Sequence, residues 1–128
     1  MTSLKTICTD AAPSPAGHYS QAIVHQGIAY VSGQLPIDPS TGENRIGSIE
    51  EQTNQTIDNL AAILRAAGSD LNRVLKTTVY ISDIALWGSV NAVYAERFGT
   101  HQPARAVVPT KDLHFGFQIE IDAIAAVD

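Results

Sequence analysis

The sequence contains a single cysteine, Cys8, which excludes an internal disulfide and a cysteine-based metal site. We expect this small residue to be packed in an N-terminal strand. Long apolar runs are also missing, so no segment is predicted to span a membrane, and the residues after Met1 lack the apolar centre of a secretory signal. These absences predict a cytoplasmic protein with no membrane partner.

Basic side chains are few as well. Lysine and arginine together number 8, against 13 aspartates and glutamates, and the formal net charge is −5. The basic residues are scattered along the chain, whereas a nucleic-acid surface usually needs them clustered. The histidines lack the spacing typical of zinc ligands, and no glycine-rich phosphate loop is present. We therefore expect no nucleic-acid partner and no bound metal.

What remains is a pattern of strands and helices that fits one domain over residues 1–128. Gln26-Gly27 predicts a tight hairpin, and the predicted helices begin at the caps Ser48 and Asp83 and end before Gly68 and Gly99. The predicted strands are Lys5–Thr9, Ser20–His25, Ile28–Gly33, Val74–Ile81, Ala104–Val108 and Gln118–Ala125.

This order predicts an α/β (α+β) fold, a mixed six-stranded sheet with two helices on one face, because crossovers between parallel strands are right-handed. No third helix is available to cover the other face of the sheet. We therefore expect that face to be buried by self-association, and binding sites to lie between subunits.

The second predicted helix carries one polar residue among its large side chains. Trp87, Asn91, Tyr94 and Phe98 recur every three or four residues, which predicts a stripe that faces the core. An amide in such a stripe either satisfies a buried backbone group or faces a cavity. Asn91 is therefore a candidate site residue.

The last quarter of the chain holds two isolated charges in strand-like sequence. Arg105 is the one charge in the apolar run Ala104–Val108, and Glu120 and Asp122 share one face of the final strand. We expect the guanidinium and a carboxylate to meet at one rim of the sheet. Because an unpaired buried charge is costly, Arg105 needs an anion, either one of these two carboxylates in a structural ion pair or the carboxylate of a ligand.

Several motifs, taken in order, resemble those of the Rid family of reactive intermediate deaminases, also called the YjgF family. The resemblance covers nearly the whole chain and rests on Gly17-His18-Tyr19-Ser20-Gln21-Ala22, the stretch from Ser32 to Glu43, Lys76-Thr77-Thr78-Val79-Tyr80, Asn91-Ala92-Val93-Tyr94, Pro103-Ala104-Arg105 and the stretch from Ile119 to Ala125.

The resemblance implies a chorismate-mutase-like fold and a homotrimer, with the sheets forming a central barrel and pockets between neighbouring subunits. The deaminating members of this family hydrolyse enamines or imines such as 2-aminoacrylate to 2-keto acids and ammonia without a cofactor. A small-molecule carboxylate is therefore the expected partner.

The same resemblance implies roles for individual residues. Arg105 would hold the substrate carboxylate, Glu120 would position the attacking water and shuttle protons, and Tyr19 would hydrogen-bond the same water. Ser32 and Asn91 would line the pocket. Without the resemblance, Tyr19 is interpreted as a partly buried aromatic with a satisfied hydroxyl, and Ser32 as a turn hydroxyl bonded to backbone.

The chain also departs from the family pattern. His18 replaces the usual proline, Val107 stands where many deaminating members have cysteine, and the stretch from Leu113 to Phe117 replaces one built around a Leu-Pro pair. We expect Phe115 and Phe117 to reshape the pocket and to favour a different or bulkier imino acid.

Two other functions stay open at this point. A non-catalytic trimer that binds keto acids or other small carboxylates would use the same arginine. An endoribonuclease or translation inhibitor is disfavoured by the acidic charge and the missing basic patch.

Overall fold

The computed structural model describes residues 3–128, which form one mixed six-stranded sheet with two helices packed on it. The strands are β1 Lys5–Ile7, β2 Ala22–His25, β3 Ile28–Gln34, β4 Val74–Ile81, β5 Ala104–Pro109 and β6 Ile119–Ala126, and the helices are α1 Ile49–Ala66 and α2 Trp87–Phe98. Across the sheet the order is β1-β2-β3-β6-β4-β5, in which only β4 and β5 are parallel to each other. The predicted fold class is confirmed.

Local sequence explains where these elements begin and end. Gln26 and Gly27 both have positive φ, at 51° and 77°, as the tight hairpin between β2 and β3 requires. Ser48 accepts a hydrogen bond from the Glu51 amide at the start of α1, and Gly68 follows the helix at a φ of 84°. Asp83 caps a short 3₁₀ turn that leads into α2, rather than the α-helix itself.

The core lies between the helices and one face of the sheet. On β6, Ile119, Ile121, Ala123 and Ala125 are all buried, as the alternating pattern predicts. The opposite face carries partly or largely exposed side chains, among them Tyr30 at 50% exposure. Nothing within residues 3–128 covers that face as the helices cover the first.

Three details differ from the sequence predictions. Trp87 is 43% exposed, because the buried stripe of α2 runs through Val90, Val93, Tyr94 and Phe98 and leaves position 87 on its border. Strand β5 is an edge strand with several exposed residues, although its apolar run is typical of a mostly buried strand. Cys8 follows β1 and is exposed.

No helix within residues 3–128 is both long and apolar enough to cross a membrane. The same residues contain no group of three or more histidine, cysteine, aspartate or glutamate side chains arranged to hold a metal ion.

Candidate active site

Arg105 lies on β5 and faces α2. Its Nη1 donates a hydrogen bond of 2.9 Å to Oδ1 of Asn91, and the two residues line a cleft of about 420 Å³ at the C-terminal end of the helix. Asn91 therefore bonds a side chain rather than a backbone group, and it does so at the wall of a cavity. No carboxylate within residues 3–128 forms an ion pair with Arg105.

Two aromatic rings enclose the same guanidinium. Its Cζ lies 4.7 Å from the ring centroid of Tyr94 and 5.7 Å from that of Trp87, within the range of cation–π attraction. The Tyr94 hydroxyl shares a 2.7 Å hydrogen bond with Oγ1 of Thr77, the β4 residue that pairs with Arg105 of β5. Burial raises the pKa of the Tyr94 hydroxyl, so this group stays neutral next to the cation. The guanidinium is thus held in place by neutral groups.

These contacts leave much of the guanidinium available. Arginine has five N–H donors in a planar fork, and only the bond to Asn91 uses one of them among residues 3–128. Two parallel donors on such a fork match the two oxygens of a carboxylate. The Arg105 cleft is therefore suited to an incoming carboxylate.

Glu120 lies on β6 and projects from the open face of the sheet. Burial raises the pKa of its carboxyl group, the nearby Asp122 adds to the rise, and His114 opposes it. Arg105, which we expected to meet a carboxylate of this strand, makes no contribution to the pKa of Glu120, and the opposing charge is that of His114. Within residues 3–128 no hydrogen bond reaches this carboxylate, which leaves its oxygens available to a ligand or water.

The position of the Glu120 side chain depends on a glycine. A Cβ built on Gly33 of β3 would come within 2.1 Å of Oε2 of Glu120, so any larger residue there would displace the carboxylate. Sequence reasoning quoted Gly33 in a family motif but assigned it no role. The role of Gly33 is visible only once β3 is paired with β6, and the register of this pair shifts between Val31 and Gln34.

Tyr19 and Ser32 line the same cleft as Glu120, which has a volume of about 310 Å³. Tyr19 is 51% exposed, and its hydroxyl accepts a 3.3 Å hydrogen bond from the Ala16 amide. Ser32 donates a 2.6 Å hydrogen bond to the carbonyl oxygen of Ser20, which is the backbone bond expected of it without the family resemblance. Both residues nevertheless line the cleft.

The 3₁₀ turn His114–Gly116 contributes the remaining wall. His114 borders the Glu120 cleft, and Phe115 is 60% exposed with a φ of 56°. Phe117 is only 1% exposed, and its ring meets that of Phe115 edge to face at 5.9 Å between centroids. Phe117 thus supports Phe115 from beneath and does not itself line the Glu120 cleft. Sequence reasoning treated His114 only as part of a departure from the family pattern.

Arg105 and Glu120 do not meet within one chain, contrary to our expectation of a shared rim. In the sheet register Arg105 pairs with Thr77, which in turn pairs with Ala123, and the side chains of these two partners face the helices. Glu120 pairs with Tyr80, whose side chain lies on the other face. Strand β4 also separates β5 from β6. The structural ion pair considered from the sequence is therefore absent among the described residues, and the two clefts open on opposite sides of the sheet.

The two clefts offer complementary chemistry. One presents a fixed cation with free donors, suited to a carboxylate. The other presents a carboxyl group whose pKa lies nearer to neutral pH than usual, beside two hydroxyls, which suits proton transfer to and from water. Neither cleft gathers the ligands of a metal, and neither contains a phosphate-binding loop among residues 3–128.

A family model described as Endoribonuclease L-PSP matches residues 9–127 of the chain. A RutC family protein of Pyrococcus horikoshii is 48% identical over 121 residues, which is 94% of this chain and 96% of that protein. The 2-iminobutanoate/2-iminopropanoate deaminase of Rattus norvegicus is 45% identical over 121 residues, covering 94% of this chain and 88% of that enzyme.

The fold is similar to that of solved structures as well. The crystal structure of Escherichia coli TdcF with bound serine superimposes with a TM-score of 0.92 at 33% identity, covering 97% of this chain and 99% of that chain.

Proposed function

The chain belongs to the Rid (YjgF) family, and from this premise we propose that it is a cofactor-independent, single-domain enamine/imine deaminase of the cytoplasm. Its substrates would be reactive 2-imino acids, such as 2-iminopropanoate formed from 2-aminoacrylate, and its products 2-keto acids and ammonia. The rat relative, 45% identical, is named for this reaction on 2-iminobutanoate and 2-iminopropanoate.

The observation that carries the proposal is a pair of unmatched charges. Arg105 has no carboxylate partner and Glu120 has no hydrogen-bond donor among residues 3–128, although both are partly buried. Leaving such charges unmatched is costly unless a ligand or a second chain completes them. A substrate that carries a carboxylate and consumes a water molecule would satisfy both.

Because the two clefts open on opposite faces, we propose that a trimer joins them. The open face of the sheet, with Tyr30 at 50% exposure, would be buried at the centre of the trimer. Arg105 and Asn91 of one subunit would then meet Glu120, Tyr19 and Ser32 of its neighbour. A trimer would contain three such pockets at its interfaces.

In this pocket the Arg105 guanidinium would bind the substrate carboxylate through two hydrogen bonds and so fix the orientation of the imine carbon. Asn91, Tyr94 and Trp87 keep the guanidinium in one orientation. The hydroxyls of Tyr19 and Ser32 would contact the water and the substrate. A guanidinium that is already ordered loses little entropy when it binds a ligand.

The reaction then needs one proton carrier. As the water oxygen bonds to the imine carbon, the C=N electron pair moves to nitrogen, and Glu120 takes a proton from the water and passes it to that nitrogen. The resulting carbinolamine returns its hydroxyl proton through Glu120 to nitrogen, the C–N bond breaks and the C=O bond forms. One imine and one water yield one keto acid and one ammonia, and the raised pKa of Glu120 favours both transfers.

The direct test is to generate 2-aminoacrylate in place with a serine dehydratase and to follow decay of the imine. Wild-type protein is expected to accelerate the decay, and Arg105→Ala is expected to remove the acceleration. Equal acceleration by both proteins would contradict the role of Arg105. Arg97→Ala is a matched control, since Arg97 pairs with Asp58 away from both clefts.

Glu120→Gln separates an enzyme from a carboxylate-binding protein. This variant keeps the size of the side chain but cannot carry the proton, so turnover should fall to background while pyruvate still binds, as measured by calorimetry. Unchanged turnover would favour a protein whose function is to bind small carboxylates.

A further inference from the structure

A third cleft adjoins the Glu120 cleft, and the reaction described above does not use it. It has a volume of about 360 Å³, within the range of ligand pockets, and it shares Tyr19, Gly33, Leu35 and His114 with the Glu120 cleft. The two clefts therefore adjoin along these four residues, and Glu120 lines the neighbouring one.

The surface of this cleft is mostly apolar. Beyond the four shared residues its lining includes Pro13, Ala16, Ile37 and Phe115 together with the uncharged Ser14, Gln21 and Gln34, and it contains no lysine, arginine, aspartate or glutamate among the described residues. We call this unshared part the apolar end. A charged group placed at this end would lose its hydration without gaining a partner of opposite charge, whereas an apolar group would be stabilised by burial.

The walls of the cleft are held in place by contacts inside the chain. Gln21 donates hydrogen bonds from Nε2 to the carbonyl oxygens of Thr9 and Pro13, and its Oε1 accepts one from the Thr9 amide, which fixes the N-terminal loop. On the opposite side the ring of Phe115 rests on buried Phe117. A cleft bounded on both sides by such contacts is largely pre-formed, so little ordering cost opposes binding.

From this geometry we infer that the apolar cleft is the subsite for the substrate side chain, and that the preferred substrates are 2-imino acids with bulky apolar side chains, branched or aromatic. The inference rests on the proposed function, because it places the imine carbon at Glu120. His114 and Phe115 line the subsite and set its specificity. The methyl and ethyl groups of 2-iminopropanoate and 2-iminobutanoate would leave most of the apolar end empty.

The test compares imines that differ only in side chain. A D-amino-acid oxidase produces these imines from D-alanine, D-leucine and D-phenylalanine. Semicarbazide traps the imine that escapes hydrolysis and so reports its amount. We expect kcat/KM for the leucine and phenylalanine imines to exceed that for the alanine imine by about tenfold or more. Equal values, or a preference for the alanine imine, would overturn the inference while leaving the proposed function intact.

A variant that fills the cleft gives a second readout. Ala16→Phe places a ring in the apolar end, so the ratio of kcat/KM for the phenylalanine imine to that for the alanine imine should fall by about tenfold. Ala66→Phe, at an exposed position at the end of α1, is the matched control and should keep the wild-type ratio. An unchanged ratio in Ala16→Phe would contradict the subsite.

The two proposals fail in different ways. If none of the imines is hydrolysed faster with protein than without it, the proposed deaminase is wrong, and the affinities for phenylpyruvate and pyruvate then judge the cleft. Calorimetry should show phenylpyruvate binding about tenfold more tightly than pyruvate, with the difference lost in Ala16→Phe. Equal affinities would overturn the subsite whether or not the protein is an enzyme.

Discussion

The Arg105 cleft and the Glu120 cleft differ in how their surroundings act on the charged group. At Arg105 the cation is surrounded by an amide oxygen and two aromatic faces, which stabilise it without neutralising it. At Glu120 burial disfavours the charged form and raises the pKa, and among residues 3–128 His114 opposes this rise. The first cleft is prepared for binding an anion and the second for exchanging a proton. Within a single chain the two clefts lie on opposite faces of one sheet. The Arg105 cleft therefore lacks a proton carrier, and the Glu120 cleft lacks a cation that could bind a carboxylate.

The sharpest test of this division is complementation between inactive chains. Arg105→Ala and Glu120→Gln are co-expressed with different tags, and trimers that contain both are isolated by purification on each tag in turn. If every site takes its arginine and its glutamate from different subunits, one site in each mixed trimer is intact, and about one third of wild-type activity returns. Sites built within one chain would stay inactive in every mixture.

Gly33→Ala is expected to have the next largest effect. The new Cβ would overlap Oε2 of Glu120, so the carboxylate must move, and a misplaced catalytic group lowers kcat by on the order of 100-fold. The fold should persist, because the displaced atoms belong to the end of a flexible side chain. Gly88→Ala in α2, where the added carbon would have no tertiary contact within 4 Å, should retain wild-type kcat. A fully active Gly33→Ala protein would show that the position of Glu120 is not critical.

Trp87→Ala tests the aromatic enclosure of Arg105. Its loss removes a partly exposed cation–π contact of about 0.5–1 kcal/mol, so KM should rise roughly two- to fivefold while kcat changes little. Tyr94→Phe keeps the closer ring and loses only the hydroxyl bonded to Thr77, and its KM is expected to change less. Steady-state kinetics on one imine distinguish the two variants. A Trp87→Ala protein with wild-type KM would assign the indole no part in ordering the guanidinium.

The smallest expected effect concerns stability and pH. Because burial raises the pKa of Glu120 above its usual 4.5, the folded protein binds this proton more tightly than the unfolded chain. The resulting stabilisation is complete below 4.5 and is lost as the pH rises through the folded pKa. The parent protein for this test carries Arg105→Ala, because the proposed trimer would bring Arg105 of a neighbouring subunit close to Glu120. In this parent, Glu120→Gln should raise Tm at neutral pH, and the difference in Tm should disappear on acidification.

The control for this measurement is Glu96→Gln, an exposed glutamate on α2. Its Tm difference from the parent should vary less with pH. Identical pH profiles for the two variants would contradict the burial of Glu120.

Local signals predicted most of the fold. Ser48 and Gly68 delimit α1, and Gln26-Gly27 forms the hairpin, because caps and turns depend on a few adjacent residues. Strand order is not local, and β4 lies between β5, which carries Arg105, and β6, which carries Glu120. The sequence indicated the face of Glu120 but neither the face of Arg105 nor the order of the strands, and for that reason the expectation that the two meet at one rim of a single chain was wrong.

Side-chain placement was predictable only where periodicity carried it. The alternation of β6 placed Glu120 correctly on the face away from the core, since period two leaves no other choice. Trp87 was misplaced because a helix turn of 3.6 residues lets a stripe drift, and the border of a stripe depends on what packs against it. His114 and Gly33 gained meaning only from neighbours distant in sequence.

The turn His114–Gly116 lies between β5 and β6, outside the two strands that carry Arg105 and Glu120. Within this segment Phe115 lines only the apolar cleft, whereas His114 also borders the Glu120 cleft and opposes the rise in the pKa of Glu120. In the proposed enzyme, this short segment would set the selectivity for the substrate side chain, and the strands would supply the reacting groups Arg105 and Glu120. Exchanging residues 113–117 between relatives is thus a compact route to redesigned selectivity within this fold.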